Sequence, residues 1–168
     1  MSNLLNASEI LDFAVHIEQN GYEFYVETAK KFNNEKLMEL FHYLADEERV
    51  HEKTFKNLKE KIGSFTPQES YPGEYDGYMK DYLKAFAPKT NVTLKDRITK
   101  IKTIEDAIEM ALIFEKDSVV FFSTLKRYVS DEHKPAIDRI IEEEINHVMK
   151  LHGFKSSGLS PAPDVDAL

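Results

Sequence analysis

The chain contains no cysteine. That excludes disulfides, thiolate zinc sites, iron–sulfur clusters and a thiol nucleophile. Any redox chemistry must run through other metal ligands and an external electron donor. Glycine and proline are scarce, six of each in 168 residues. With so little to punctuate short strands, long helices are favoured. The apolar residues are dispersed, and no stretch approaches the roughly 20 that a membrane-spanning helix needs. Basic residues are in the minority, 22 against 30 acidic, for a net charge of −8. This balance argues against nucleic acid or an anionic membrane as partner. The opening Met1-Ser2-Asn3-Leu4-Leu5-Asn6 shows neither the basic head nor the apolar run of a signal peptide, so the cytoplasm is the expected address.

What is present is an ordinary globular mix, 42% hydrophobic and 31% charged, in a chain long enough to bury a core as one domain. Helical periodicity predicts four long helices: about Ser8 to Phe32, Glu35 to Ile62, Ile104 to Val129 and Pro135 to His152. Gly63 and Gly153 are read as caps just past helix ends. Thr103 with Asp106 three residues on resembles a capping box, and Pro135 fits a first helical turn. Between the second and third helices lies a connection of roughly forty residues, 63–102, rich in turn formers, in which Tyr78 to Phe86 could form a short helix before Pro88. Its Tyr71, Tyr75, Tyr78 and Tyr82 could pack over the bundle. A connection that long suits a crossover running the length of a bundle. The expected organisation is one domain, residues 1–155, and a flexible tail, 156–168.

Two helical hairpins repeat one pattern. Glu18 is followed 30 residues later by Glu48, which forms a Glu-x-x-His pair with His51. Glu115 is followed 29 residues later by Glu144, paired with His147. Leu44-Ala45-Asp46-Glu47-Glu48-Arg49-Val50-His51 matches Ile140-Ile141-Glu142-Glu143-Glu144-Ile145-Asn146-His147. All six residues fall within apolar stripes that step by three or four, and so point at the core, where bare charge is expensive. The turns near Asn33 and near Ser130 to His133 lie midway between each lone glutamate and its pair, which puts the carboxylates at one level. Four carboxylates at one level repel unless cations sit among them. Two divalent ions would cancel their charge, and Glu-x-x-His lets one helix offer an oxygen and a nitrogen together. The chain therefore reads as a metal protein holding two ions, best two irons, with manganese or zinc as substitutes.

Other residues receive plainer readings. Glu47, Glu142 and Glu143 belong to acidic runs and are read as solvent-facing. His16 and His42 fall off the stripes, while His133 and His152 sit at helix ends. Tyr22 and Tyr25 follow Glu18 on its own face; either could hydrogen-bond a ligand carboxylate from a second layer or carry a radical, but the favoured reading is a core tyrosine with its hydroxyl satisfied. Met110 and the phenylalanines of the third helix are core.

The pattern resembles the rubrerythrin-type family of the ferritin-like superfamily. The likeness is carried by Glu18 with Tyr25, the block 44–51, the run Phe114-Glu115-Lys116-Asp117-Ser118, and Glu144 with His147, and extends over about residues 7–153. It implies an all-α ferritin-like four-helix bundle, with two hairpins joined by one crossover. It also implies a di-iron centre ligated by Glu18, Glu48, His51, Glu115, Glu144 and His147, with Glu48 and Glu144 bridging, that reacts with peroxide or dioxygen. Two departures stand out. Full rubrerythrins append a rubredoxin domain whose iron is held by four cysteines, so here the electrons are expected from a separate protein. Rubrerythrins proper also carry an extra carboxylate about one turn after the third-helix ligand, and Ser118 stands there.

The leading expectation is a di-iron oxidoreductase that reduces peroxide or dioxygen, acting as a homodimer like other small bundles of this family. One alternative is ferroxidase or iron-handling activity. Cage storage fits poorly, because Pro161 and Pro163 interrupt the segment where cage ferritins place a fifth helix. The other alternative is a non-catalytic metal-binding bundle.

Overall fold

The structure, a computed structural model, describes residues 7–62 and 93–157. It is all-α. Helix α1 spans Ala7–Ala29, α2 Glu35–Lys61, α3 Leu94–Lys100, α4 Ile104–Leu125 and α5 Lys134–Ser157, with a 3-10 turn at Lys126–Tyr128. The helices α1 and α2 form one antiparallel hairpin, and α4 and α5 the other. Together they make the four-helix bundle. Among the described residues no helix is long and apolar enough to cross a membrane.

Local chemistry sets the boundaries. The Asn34 side chain accepts the Leu37 amide at 2.9 Å and starts α2. Thr103 and Asp106 form the full reciprocal capping box at the start of α4, so two amides without helical partners are satisfied together. The first helix stops at Ala29, three residues short of the expected end. The Lys31 amide bonds back to Thr28 O at 3.0 Å and tightens the last turn.

The last helix corrects the sequence reading in the other direction. Gly153 does not end it, and α5 continues through Ser157. Phe154 packs against the buried core, and Lys155 pairs with Glu109 of α4 at 3.0 Å, so tertiary contacts carry the helix past the glycine. His152 therefore lies inside the helix and not at its end.

The connection 63–102 also holds a helix the sequence reading did not place. Helix α3 begins with a Thr93–Asp96 capping box of the same kind as Thr103–Asp106. It lays Leu94, Ile98 and Ile101 against the bundle. Lys31 reaches across to donate to Ile98 O and Ile101 O, at 2.6 and 2.8 Å. A cation there suits the negative end of a helix, where carbonyls point outward. The short helix expected at Tyr78 to Phe86, the tyrosines of that stretch, Gly63 and the tail beyond residue 157 lie outside the described residues.

The apolar core comes in two clusters. One gathers Ile10, Leu11 and Ala14 of α1 with Phe55 and Leu58 of α2, Phe121, Phe122 and Leu125 of α4, and Ile137 and Ile140 of α5. The other gathers Phe24 and Tyr25 with Leu37, Phe41, Leu44, Ile108, Ala111 and Leu151. On every long helix the break between clusters falls at the polar members of the stripe. Glu18 lies between Val15 and Phe24, Glu48 and His51 between Ala45 and Phe55, Glu115 between Leu112 and Phe121, and Glu144 and His147 between Ile140 and Leu151. A polar layer thus crosses the bundle with an apolar cluster on each side.

Candidate metal centre

All six residues singled out by spacing meet in that layer. Glu18, His51, Glu115, Glu144 and His147 are each 1% exposed and Glu48 5%. Their ligand atoms fall into two groups, Glu18–Glu48–His51–Glu144 and Glu48–Glu115–Glu144–His147. Within each group the atoms lie within 4.8 Å of one another. Glu48 and Glu144 belong to both.

The polar atoms converge closely. His51 Nδ1 is 2.8 Å from Glu144 Oε1 and 3.7 Å from Glu18 Oε2. His147 Nδ1 is 3.4 Å from Glu115 Oε2 and 3.3 Å from Glu144 Oε2. Yet both oxygens of Glu18, both oxygens of Glu144 and both inward Nδ1 atoms are fully buried without an aligned hydrogen-bond partner among the described residues. Buried polar atoms are rarely left this way. Four carboxylates and two imidazoles with lone pairs aimed inward are the donor set for two divalent cations, whose charge would replace the lost hydration. The residues fit a di-metal site.

Electrostatics shows how protons would otherwise serve. Burial pushes the Glu18 carboxyl well above its ordinary range, with the charges of Glu144 and Glu115 adding to it. Burial does the same to Glu48, reinforced by Glu18 and Glu144. Glu115 rises to about 8 through burial and the Glu144 charge. For Glu144 burial again opposes ionisation, but its contacts with Glu115, His147 and His51 outweigh it and hold the carboxyl far below the usual range. Burial works against both imidazolium forms. Glu144 nonetheless lifts His51 to about 9, and Glu115 and Glu144 lift His147 to about 10. The layer calls for positive charge, and in the absence of cations protons provide it.

The surroundings differ from the sequence reading in two places. Glu143 is not simply solvent-facing: it accepts a hydrogen bond from His51 Nε2 at 2.9 Å while its side chain keeps 36% exposure. This fixes the ring with Nδ1 turned inward, the usual task of a carboxylate behind a ligand histidine. The signal available was the repeat itself, since Glu143-Glu144 answers Glu47-Glu48. Tyr22 lies under the Arg49 guanidinium, 4.2 Å from the ring centroid, instead of facing the carboxylates. Tyr25 is buried and donates to Glu115 Oε1. Burial, with the Glu115 charge beside it, keeps its phenol protonated well above the ordinary value. Glu47 is half-buried beside Tyr43, while Glu142, His16 and His42 are exposed.

Gly21, one turn after Glu18, is a further residue that spacing alone did not mark. A Cβ there would lie 3.0 Å from Glu48 Cδ. It lines a small pocket between α1 and α4, about 50 Å³, that reaches Glu48 and Glu115 past Ser118.

Comparison with known proteins agrees with this geometry. The family model described as Rubrerythrin matches residues 9–155. A crystal structure from Thermotoga maritima, described as that of a ferritin-like diiron-carboxylate protein, superposes with a TM-score of 0.65 at 23% identity, covering 94% of this chain and 99% of that one. At that identity the likeness speaks for the fold. No curated protein matches the sequence. With its four-helix bundle and the paired Glu-x-x-His layer inside it, the chain belongs to the rubrerythrin family.

Proposed function

We propose that this protein is a di-iron oxidoreductase that reduces peroxide or dioxygen with electrons from a separate donor protein. The observation that carries the reading is the buried six-residue layer in which both oxygens of Glu18 and of Glu144 and the Nδ1 atoms of His51 and His147 lack an aligned hydrogen-bond partner among the described residues. Glu18 and His51 would hold one ion, Glu115 and His147 the other, with Glu48 and Glu144 shared between them. An iron pair cycling between ferrous and ferric supplies the two electrons that, with two protons, convert one hydrogen peroxide to two waters.

The chain's own residues shape what reaches that layer. Glu48 and Glu115 are approached through the pocket beside Gly21 and Ser118. At about 50 Å³ it suits a diatomic or a peroxide and falls far below the few hundred Å³ of an organic-substrate site. Glu143 holds His51 in the orientation that turns Nδ1 inward, and Tyr25 holds Glu115. The apolar clusters above and below keep water from the layer along the bundle axis. The sequence holds no cysteine to carry an electron-transfer iron, which is why the reading takes its electrons from a second protein.

One observation favours ferroxidase chemistry as the second reading. Ser118 lines the pocket one turn after Glu115, where rubrerythrins proper carry a further carboxylate, and the two candidate ligand groups among the described residues comprise six side chains. Anaerobic reconstitution with ferrous iron, iron counted per chain, and rapid mixing with peroxide or with air tests both. About two irons per chain and faster oxidation by peroxide support the peroxidase form of the proposal, whereas faster oxidation by air points to its oxidase form or to ferroxidase chemistry. Glu18→Ala or His147→Ala should lower the iron count and slow oxidation. Unchanged count and kinetics would sink the ligand assignment.

A further inference from the structure

At the surface edge of the metal layer stands a tyrosine that the site does not otherwise use. The Tyr43 ring is edge-on to the His147 ring, with centroids 6.2 Å apart and planes inclined by 86°. It is 42% exposed, and with Glu47, His147 and Lys150 it lines a surface pocket of about 440 Å³. Its hydroxyl donates a hydrogen bond to Glu47, one turn further along α2. One side chain thus meets a candidate metal ligand, a carboxylate outside the ligand set, and solvent.

The other tyrosines among the described residues are placed differently. Tyr25 is 1% exposed, and its hydroxyl donates to Glu115, itself a candidate ligand. Tyr128 is equally buried, in the apolar cluster of Phe55 and Phe122. Tyr22 packs under Arg49 instead of facing the carboxylates. A phenol gives up an electron readily only when its proton leaves as well, because the phenol cation radical is a strong acid. Lys150 sharpens that requirement. Its ammonium lies 5.1 Å from the Tyr43 ring centroid and opposes positive charge on the ring. Glu47 is in place to accept the proton.

We propose that Tyr43 is a redox relay of the metal centre: it supplies the second electron through His147 when only one ferrous ion is there to reduce a peroxide, and Glu47 takes its phenolic proton. One hydrogen peroxide needs two electrons and two protons to become two waters. Here the ferrous ion gives one electron and becomes ferric, and Tyr43 gives the other and becomes a neutral tyrosyl radical. The O–O bond breaks, and solvent supplies the two protons that complete the waters. The phenolic proton passes to Glu47, which releases it to solvent through the pocket. At the surface the external donor returns one electron, and with one proton the phenol is restored. Without the relay, reduction by a single ferrous ion stops at one electron and frees a hydroxyl radical. The assignment rests on the ligand reading proposed above.

The test loads the chain anaerobically with ferrous iron and zinc in equal amounts, since zinc gives no electron, then mixes it with hydrogen peroxide and freezes it rapidly. Electron paramagnetic resonance should show a tyrosyl radical. A nitroso spin trap present during mixing should leave its adduct on Tyr43 in peptide mass spectra. Tyr43→Phe should lose both signals per bound iron, whereas Tyr22→Phe should keep both. Chains loaded with ferrous iron alone already hold both electrons and should give far less radical. A radical that survives Tyr43→Phe, or one whose yield per bound iron is untouched by Glu47→Gln, would overturn the inference. His147→Gln separates the relay from the ligand reading. If it lowers the metal content while wild type forms no radical on Tyr43, only the relay falls. If it binds both ions as wild type does, the ligand reading falls and the relay with it.

Discussion

Tyr25 on α1 donates its hydroxyl to Glu115 on α4, ninety residues away, and so ties the first hairpin to the second at the level of the carboxylates. Tyr25→Phe keeps the ring and its edge-on packing against Phe24 and Phe41 but leaves a buried carboxyl oxygen without its donor. The expected cost is about 1–3 kcal/mol. Urea unfolding at constant m-value measures it. An unchanged midpoint would mean that Glu115 does not depend on the phenol.

Two glycines should respond in opposite ways to the same substitution. Gly21→Ala places a methyl 3.0 Å from the Glu48 carboxyl carbon. The carboxylate must shift, so metal affinity should fall while helix propensity improves. Gly153→Ala meets nothing within 4 Å and lies inside α5, so it should stabilise by up to about 1 kcal/mol. Metal titration and thermal melts of both variants check the pair. A destabilised Gly153→Ala would contradict the continuous helix.

The metal-free protein should lose stability as pH rises. Folding raises Glu18 and Glu48 well above 4.5, Glu115 to about 8, His51 to about 9 and His147 to about 10. Each of these groups keeps a proton in the folded state at pH values where the unfolded chain has released it, so alkali pulls toward unfolding. The histidine contributions are complete below their ordinary value of 6.5 and vanish as pH passes about 9 to 10. Glu144 is lowered, and opposes the trend only below the ordinary carboxylate range. Bound cations displace the same protons, so metal-loaded protein should show the reverse dependence. Melting chelator-treated protein at about pH 6 and about pH 9 tests the sign. A higher midpoint at the alkaline value would refute it.

Lys31→Met removes the ammonium that donates to Ile98 O and Ile101 O. The side chain is largely exposed, so the expected loss is modest, about 1 kcal/mol. It should be concentrated in α3, appearing as faster amide exchange in the Leu94–Lys100 turns than in α4. Equal exchange in both helices would show that α3 holds by its apolar contacts alone.

Much of the centre was legible in the sequence because helical geometry is local. Steps of three and four residues fix which side chains share a face, and near-equal distances to the two turns fix their level. Glu18, Glu48, His51, Glu115, Glu144 and His147 could therefore be placed together from spacing. Position relative to the other hairpin is not local. Whether Tyr22 or Tyr25 reaches a carboxylate depends on the rotation of α1 against α4, and that rotation chose Tyr25. Glu143 looks like any solvated acid until α5 is laid beside α2 and brings it to His51.

The helix ends divide in the same way. Capping pairs such as Thr103–Asp106 act within one turn, and the sequence displays them; Thr93–Asp96 was equally visible, and marks α3. Gly153 carries the signature of a terminus, yet Phe154 and Lys155 find partners on the bundle and keep the helix going. By itself the sequence determined the periodic apolar faces, the polar layer within them and hence the chemistry gathered there. Tertiary packing alone decided which neighbours orient that layer, because hydrogen bonds between hairpins depend on a docking angle that no single helix encodes.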